Sequence, residues 1–435
     1  ATFVFLQAPI ISSLEKMTNQ DTKNIELITN FVVSCANEIG LLNFFRSANI
    51  SPNDIDHYTT IILPILSGYS SKKNLDDLAF TIDYLMPAEE IILDNSQTSD
   101  DCKRIWHQLW NAIPNCVTTN KTYIENDDGN FFNFVNRLCN LMESNREFIR
   151  PICRIFQSIG PFCGDCDNVL PTLLNMAVDQ STSSSVIPAV TAVIRNRPPE
   201  FINNFFVKLM SEKILPLASD PNSINIACAL IDVAMALAPF ISEENRNNFY
   251  QVLITFIQQK SHLQKKALRT LRNLLEKYRT DMMKGASAQL VEILNNTKDS
   301  ISSSTVRYRL LLMSTLLQLP DDLHGEMLLN FLPEFVAALK DSGAKTREAA
   351  TECIYAVADE LVKLNSPLGP VLSALSIGLA ANVSTIVSAS IDALNLIIRK
   401  YYDHVTPDEL SQISNLVWKS TITEAGAEIL RSAIK

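Results

Sequence analysis

Apolar side chains recur at helical spacing in the C-terminal half of the chain, and residues 332–361 show the pattern best. One predicted helix carries Leu332, Phe335 and Leu339 on a single face. A short polar turn follows it, and a second predicted helix begins near Lys345. Two helices joined by a polar turn are typical of a HEAT repeat, which has a period of about 40–47 residues.

The position at which each second helix is expected to pack against its neighbours recurs at nearly constant intervals along the chain. Successive units place a small or apolar residue there, at intervals of 40, 43, 40 and 40 residues: Ala227, Ala267, Leu310, Ala350 and Ser390. One helix pair cannot bury its apolar face alone, so repeats of this kind stack on one another. We therefore predict an all-α fold, an α-solenoid of HEAT/armadillo-type helical repeats.

The repeats are regular only over residues 181–435, which we expect to form one region. Residues 1–180 are expected to form another region of irregular, acidic helical repeats. Helices are predicted before residue 200 at 24–40, 52–69, 74–86, 101–112, 130–143, 146–160 and 183–197. The polar segments expected to form loops are 111–130, 179–185 and 295–304. Pro333 is expected in the first turn of its helix, where a missing N–H costs nothing.

Charge is unevenly distributed along the 435 residues. The formal net charge is −10, yet residues 251–435 carry 20 Lys and Arg against 19 Asp and Glu. Residues 1–250 hold the remaining 17 basic and 28 acidic side chains, a net of −11. The acidic N-terminal half therefore favours protein partners over RNA.

The sequence offers little material for catalysis or metal binding. With 11 glycines it contains no phosphate-binding loop, and its five histidines are scattered. Cys163 and Cys166 form a lone CxxC, without the second pair of ligands that a zinc site needs. The apolar stretch 366–390 is broken by Pro370 and Gly378, which predicts two buried helices rather than a membrane span. We expect no catalytic, cofactor-binding or metal-binding residues, no small-molecule substrate and no membrane association.

Basic residues are the remaining candidates for a functional surface. Residues 261–279 place six Lys or Arg in nineteen positions, and further cations begin the next two second helices. Stacking of these helices would align the cations as a ladder along one edge. The residues expected to bind RNA or an acidic partner are Lys265, Lys266, Arg269, Arg272, Arg307, Arg309, Lys345 and Arg347. A solvated helix face stays open as an interpretation, as does internal pairing, for example of Arg347 with Asp341. Aromatic residues for base stacking are sparse here, with Tyr278 and Tyr308.

Three stretches of this half carry a family signature. Residues 262–278 contain a Gln-Lys-Lys-Ala helix, and residues 328–361 contain a Leu-Pro-Glu helix followed by a Lys-Thr-Arg-Glu start. Residues 377–401 supply the next unit. In this order they resemble the ribosomal RNA processing protein 12 family, large HEAT-repeat proteins of pre-ribosome assembly. The resemblance covers about 251–435, and more weakly 183–250.

The resemblance implies a nucleolar and nuclear protein that joins early ribosomal precursors and shuttles to the cytoplasm. It implies a non-enzymatic role in pre-rRNA processing and in the maturation and nuclear export of the small ribosomal subunit. The partners it implies are pre-ribosomal proteins, pre-rRNA and nuclear transport components. Family members are much longer, so we expect this chain to be a piece of a longer protein. The alternatives are an importin- or exportin-like transport receptor and a regulatory scaffold for a phosphatase or the cytoskeleton.

Overall fold

The computed structural model describes residues 22–48, 58–69, 77–96, 99–117, 121–125, 129–177, 180–259, 262–278, 286–298, 301–317, 324–380 and 384–422. Helices make up most of these residues, and no strand occurs among them. The chain divides into two compact units, Ala1–Ile241 and Ser242–Lys435. The predicted boundary between residues 180 and 181 concerns the regularity of the repeats and stays a prediction.

The N-terminal unit contains two rows of helices. In chain order these are α1 Thr22–Ile39, α2 Leu41–Ala48, α3 Leu63–Gly68, α4 Asp77–Phe80, α5 Met86–Ser96, α6 Asp100–Ala112, α7 Lys121–Glu125, α8 Asn130–Ser144, α9 Ile149–Ile159, α10 Val169–Ala177, α11 Gln180–Ile194, α12 Pro199–Lys208, α13 Leu215–Ala218 and α14 Ile224–Leu237. A π-helical segment, Tyr58–Ile62, precedes α3. Two further π-helical segments connect helices: Thr81–Leu85 joins α4 to α5, and Leu209–Ile214 joins α12 to α13. Helices α1, α3, α6, α9, α11 and α14 pack side by side, and α2, α5, α8 and α10 lie against this row.

The C-terminal unit repeats one arrangement more regularly. Its helices are α15 Glu243–Gln258, α16 Gln264–Lys277, α17 Ala286–Asn296, α18 Ser303–Leu317, α19 His324–Ala338, α20 Ala344–Lys363, α21 Gly369–Leu379, α22 Ser384–Lys400 and α23 Pro407–Ile422. The second helices α16, α18, α20 and α22 form one row, each against the next. First helices lie against the same row, since α15, α19 and α21 pack on α16, α20 and α22. The predicted all-α array of helical repeats is confirmed.

Two predictions about local structure are wrong. Helix α19 begins at His324, so Pro333 lies inside the helix rather than in its first turn. The missing N–H removes one intrahelical hydrogen bond, but burial of the side chains around it stabilises the helix: Phe331, Leu332 and Phe335. The segment 179–185, expected to be a loop, starts α11 at Gln180.

The remaining predicted helices agree with the structure within the described residues. The helix expected at 74–86 runs on to Ser96 through the π-helical segment, and the loop expected at 111–130 contains α7. Residues 52–57 and 74–76 of two predicted helices lie outside the described residues. The stretch 366–390 is divided between α21 and α22, as predicted.

The apolar helices in the described part of the chain are short or form a bent pair. Among the described residues, no single helix is long and apolar enough to cross a membrane. Two segments, Pro199–Ala218 and Pro221–Leu237, reach that length and composition only as a pair, with a bend of 117° between them.

A buried carboxylate ties three helices of the N-terminal unit together. Glu89 on α5 is 0% exposed and accepts hydrogen bonds from the indole Nε1 atoms of Trp106 and Trp110 on α6, at 3.1 Å for Trp110. Arg137 on α8 forms an ion pair with the same carboxylate. Burial and then the charge of Glu89 raise the pKa of the Tyr58 phenol. Donors from two other helices thus satisfy the buried carboxylate of Glu89.

Replacing Ala350 with glutamate tests the packing register of the second helices. Ala350 is fully buried on α20, so Ala350→Glu places an unpaired charge in the core and should cost about 3 kcal/mol of unfolding free energy. The urea midpoint measures this loss. Ala344→Glu is the matched control, because Ala344 is exposed at the start of α20, where an acidic side chain is favourable. Equal midpoints for the two variants would contradict the register.

Candidate functional site

Three second helices of the C-terminal unit, α16, α18 and α20, contact one another with the same offset along the sequence. Arg272 Nε on α16 donates to Thr315 Oγ1 on α18 at 3.3 Å. Cys353 Sγ on α20 donates to the Leu310 carbonyl on α18 at 3.0 Å. Both contacts join residues 43 positions apart. The first turns of α16, α18 and α20 therefore lie along the same edge of the row.

Two predicted cations of neighbouring repeats meet at one aromatic ring on this edge. Lys265 Nζ on α16 lies 5.3 Å from the centre of the Tyr308 ring on α18. Arg307 Cζ lies 5.8 Å from the same centre. Both distances suit cation–π contacts. We call Lys265, Arg307 and Tyr308 the Tyr308 cluster.

Three more of the predicted cations lie near the first turns of their helices. Arg269 on α16 and Lys345 on α20 are exposed, and Lys266 is half-buried. Neither Arg269 nor Lys345 forms an ion pair with a carboxylate in the described part of the chain. With the Tyr308 cluster, these residues make up the basic edge: Lys265, Lys266, Arg269, Arg307 and Lys345.

Arg309 was expected at the surface, and the structure corrects this. Its side chain is 1% exposed. Nε and NH2 donate to the two carboxylate oxygens of Glu334 on α19 at 2.7 and 3.0 Å, and NH1 donates to the Leu294 carbonyl at 2.6 Å. A planar guanidinium matches a carboxylate in this two-bond geometry. Arg309 therefore binds α17 and α19 to α18 and is not accessible to a partner.

Arg272 and Arg347 have internal partners, the alternative left open by the sequence. Arg272 forms an ion pair with Glu276 one turn away, with 2.9 Å between Nε and Oε1. Arg347 NH1 donates to the backbone carbonyls of Asp341 and Ser342 at 2.8 and 3.0 Å. Arg347 thus holds the turn before α20 through the backbone rather than through the Asp341 carboxylate. Both side chains keep partial exposure, and each has one guanidinium nitrogen bonded within the unit.

The second predicted aromatic, Tyr278, also faces a cation. Arg246 Cζ on α15 lies 5.0 Å from the centre of its ring. Sequence reasoning did not include Arg246, which is 32 positions away in the chain. Tyr278 follows the last residue of α16, at the end of the helix opposite the edge, so Tyr308 is the aromatic residue of the edge. Because cations lie over the Tyr308 ring, the edge is better suited to anionic groups than to stacked bases.

The Cys163–Cys166 pair lies in the N-terminal unit. Both thiols are buried, and Cys163 Sγ donates to the Ile159 carbonyl at 3.5 Å. The hydrogen bond with Cys166 and then burial raise the pKa of the Cys163 thiol. No group of three or more His, Cys, Asp or Glu side chains within the described ranges is arranged to hold a metal ion.

Two known proteins are similar to this chain in sequence. It is 27% identical over 230 residues to the putative ribosomal RNA-processing protein 12 of Schizosaccharomyces pombe, which is 50% of this chain and 19% of that protein. It is 22% identical over 396 residues to the RRP12-like protein of Gallus gallus, which is 82% of this chain and 30% of that protein. The chain resembles the ribosomal RNA-processing protein 12 family. It spans less than a third of the length of either relative.

Two other comparisons add no functional argument. No family model matches the chain. An engineered protein of known crystal structure aligns over 93% of this chain and 97% of its own length, with 13% identity and a TM-score of 0.36.

The Arg309–Glu334 pair gives a direct test of the corrected site. Glu334→Ala leaves the guanidinium of Arg309 buried without its partner, which should cost about 3 kcal/mol of unfolding free energy. The matched control is Glu348→Ala, since Glu348 is exposed on α20 and should change stability by less than about 0.5 kcal/mol. Urea unfolding measures both.

A double variant separates the effect of the broken pair from that of reduced packing. In Arg309→Met with Glu334→Leu neither charge remains buried, so most of the stability should return. If the double variant were less stable than Glu334→Ala, the buried-pair explanation would be wrong.

Proposed function

We propose that the chain is part of a non-enzymatic scaffold in ribosome biogenesis. The observation that carries this proposal is the similarity of 230 residues to a protein named putative ribosomal RNA-processing protein 12. An array of stacked helix pairs supports it, because such arrays offer long surfaces for large partners. The scaffold assists pre-rRNA processing and the maturation and nuclear export of small-subunit precursors. It acts in the nucleolus and nucleus and shuttles to the cytoplasm.

The basic edge is the surface proposed to contact pre-rRNA. Its cations come from three successive second helices, about 10 Å apart. An extended polyanion can contact cations spaced in this way, whereas one carboxylate can reach only one or two of them. Lys265 and Arg307 are also oriented by Tyr308, which lowers the side-chain entropy lost on binding. The edge is therefore proposed to contact RNA through its phosphates.

Salt dependence of binding tests the RNA contact. The triple variant Lys265→Ala, Lys266→Ala, Arg269→Ala should weaken binding to a structured RNA fragment. It should also reduce the slope of log affinity against log salt by about 2, because each neutralised phosphate contributes roughly 0.7–0.9 to that slope. Fluorescence anisotropy across a salt series measures both quantities.

The matched control removes three exposed cations of the N-terminal unit: Arg195, Lys208 and Lys213. This control should leave the slope unchanged. An equal reduction of the slope in the control would point to a diffuse charge effect, and an unchanged slope in the first variant would exclude the edge as the contact.

Depletion of the protein in its own cells tests the wider proposal. Precursor rRNA species should accumulate, and the full-length wild-type protein should restore their processing, while the triple variant of the basic edge should restore it less well. Unchanged precursor levels would contradict a role in ribosome biogenesis. Tight binding to a small GTPase without binding to RNA would instead favour a transport receptor.

A further inference from the structure

A groove of about 540 Å³ lies between two helical segments of the N-terminal unit. One wall is the continuous helix formed by Thr81–Leu85 and α5, and the other wall is α8. Its floor is apolar, because it is lined by Ile82, Met86 and Phe134, whose side chains are largely buried. Its volume falls within the range of about 300–1,000 Å³ that is usual for ligand sites.

The rim of the groove is exposed and acidic. Asp83 and Glu90 stand on one wall, one on each side of the buried Met86, and both are exposed. The opposite wall contributes the amides of Asn130 and Asn133. Among the residues that the structure describes, Arg137 is the one basic residue that lines the groove. A binding partner therefore meets carboxylates and neutral amides at the rim, above an apolar floor.

The guanidinium of Arg137 is already held by two carboxylates. Its NH1 lies 2.6 Å from Glu90 Oε1, and its NH2 pairs with the buried Glu89. Within the described part of the chain, the charged groups around the groove are thus three carboxylates and one guanidinium, a net of −2. An anionic ligand would have to compete with Glu89 and Glu90 for Arg137 and would be repelled by Asp83. A cationic ligand meets no such penalty.

The rim carboxylates are also held in place. The Tyr123 hydroxyl donates to Asp83 Oδ1 at 2.8 Å, and the pair with Arg137 orients Glu90. A carboxylate has about four acceptor positions, so each can accept a further hydrogen bond from an incoming ammonium or guanidinium group. This arrangement lowers the cost of ordering the site on binding.

We infer that this groove binds a short basic peptide segment of a protein partner, with apolar side chains on the floor and Lys or Arg at the rim. An open groove between two helices suits an amphipathic segment, whose apolar face enters while its charged face meets the rim. The inference is independent of the proposed RNA contact, because it rests on a different unit and the opposite charge.

Binding of synthetic peptides to the full chain tests the inference. The probe is a fluorescein-labelled peptide of leucine and lysine with the leucines at helical spacing, i, i+3, i+4 and i+7, and its anisotropy should rise on binding. A version with glutamate in place of lysine should not bind, and a version with serine in place of leucine should bind at least about fivefold more weakly. Equal binding of the glutamate version would overturn the inference.

Isosteric variants locate the binding site. Asp83→Asn with Glu90→Gln removes both rim charges and should weaken binding of the leucine–lysine peptide by about tenfold. The matched control, Glu200→Gln with Glu212→Gln, removes two exposed charges of the same unit away from the groove and should leave the affinity unchanged. The two double variants should have equal thermal midpoints. If the rim variant, Asp83→Asn with Glu90→Gln, melts at a lower temperature, hydrogen exchange of the wild-type chain locates the binding site instead.

Hydrogen exchange gives a readout that does not depend on mutation. Adding the peptide should increase protection in residues 81–96 and 130–144. Protection elsewhere would overturn the inference, as would displacement of the peptide by single-stranded RNA. A dimer of the chain that the rim variant abolishes would show that a second copy occupies the groove and would also overturn it.

Discussion

Close contact between stacked helices is the constraint on which the C-terminal unit depends. At the predicted packing positions Ala267, Leu310 and Ala350 are fully buried. Gly378 on α21 shows how closely the helices approach, because a Cβ added there would collide with the hydroxyl of the buried Ser390 on α22. Each helix pair can bury its apolar face only through such contacts. The spacing of small and apolar residues therefore sets how the repeats align.

The same alignment determines which charges reach the surface. Residues 43 positions apart in the sequence lie side by side on α16 and α18, so Lys265 of one repeat lies over Tyr308 of the next. On the same helix as Tyr308, Arg309 lies between the rows and binds Glu334. Arg307 and Arg309, which flank Tyr308 in the sequence, thus have different roles. Arg307 is half-buried beside the Tyr308 ring, whereas Arg309 stabilises the interior only because Glu334 is present as its partner.

Much of this fold can be predicted from the sequence, because the repeat period and the helical stripe are local features. The internal role of Arg309 was missed although a signal existed. Thr305, Arg309, Leu312 and Leu316 follow helical spacing and are all buried. What the sequence could not supply was the partner, since Glu334 lies 25 positions away on another helix. The acidic groove was missed for the same reason, because Arg137 on α8 meets Glu89 on α5 across 48 positions of the chain.

The opposite charges of the two proposed surfaces give the chain a way to discriminate between partners. Electrostatic complementarity contributes more to specificity and association rate than to affinity. An RNA phosphate backbone is repelled by Asp83 and Glu90, and a basic peptide is repelled by Lys265 and Lys345. Because each surface is built from contacts within its own unit, binding at one need not disturb the packing of the other. The proposed RNA and the proposed basic segment would therefore each be selected by charge, at a surface of a different unit.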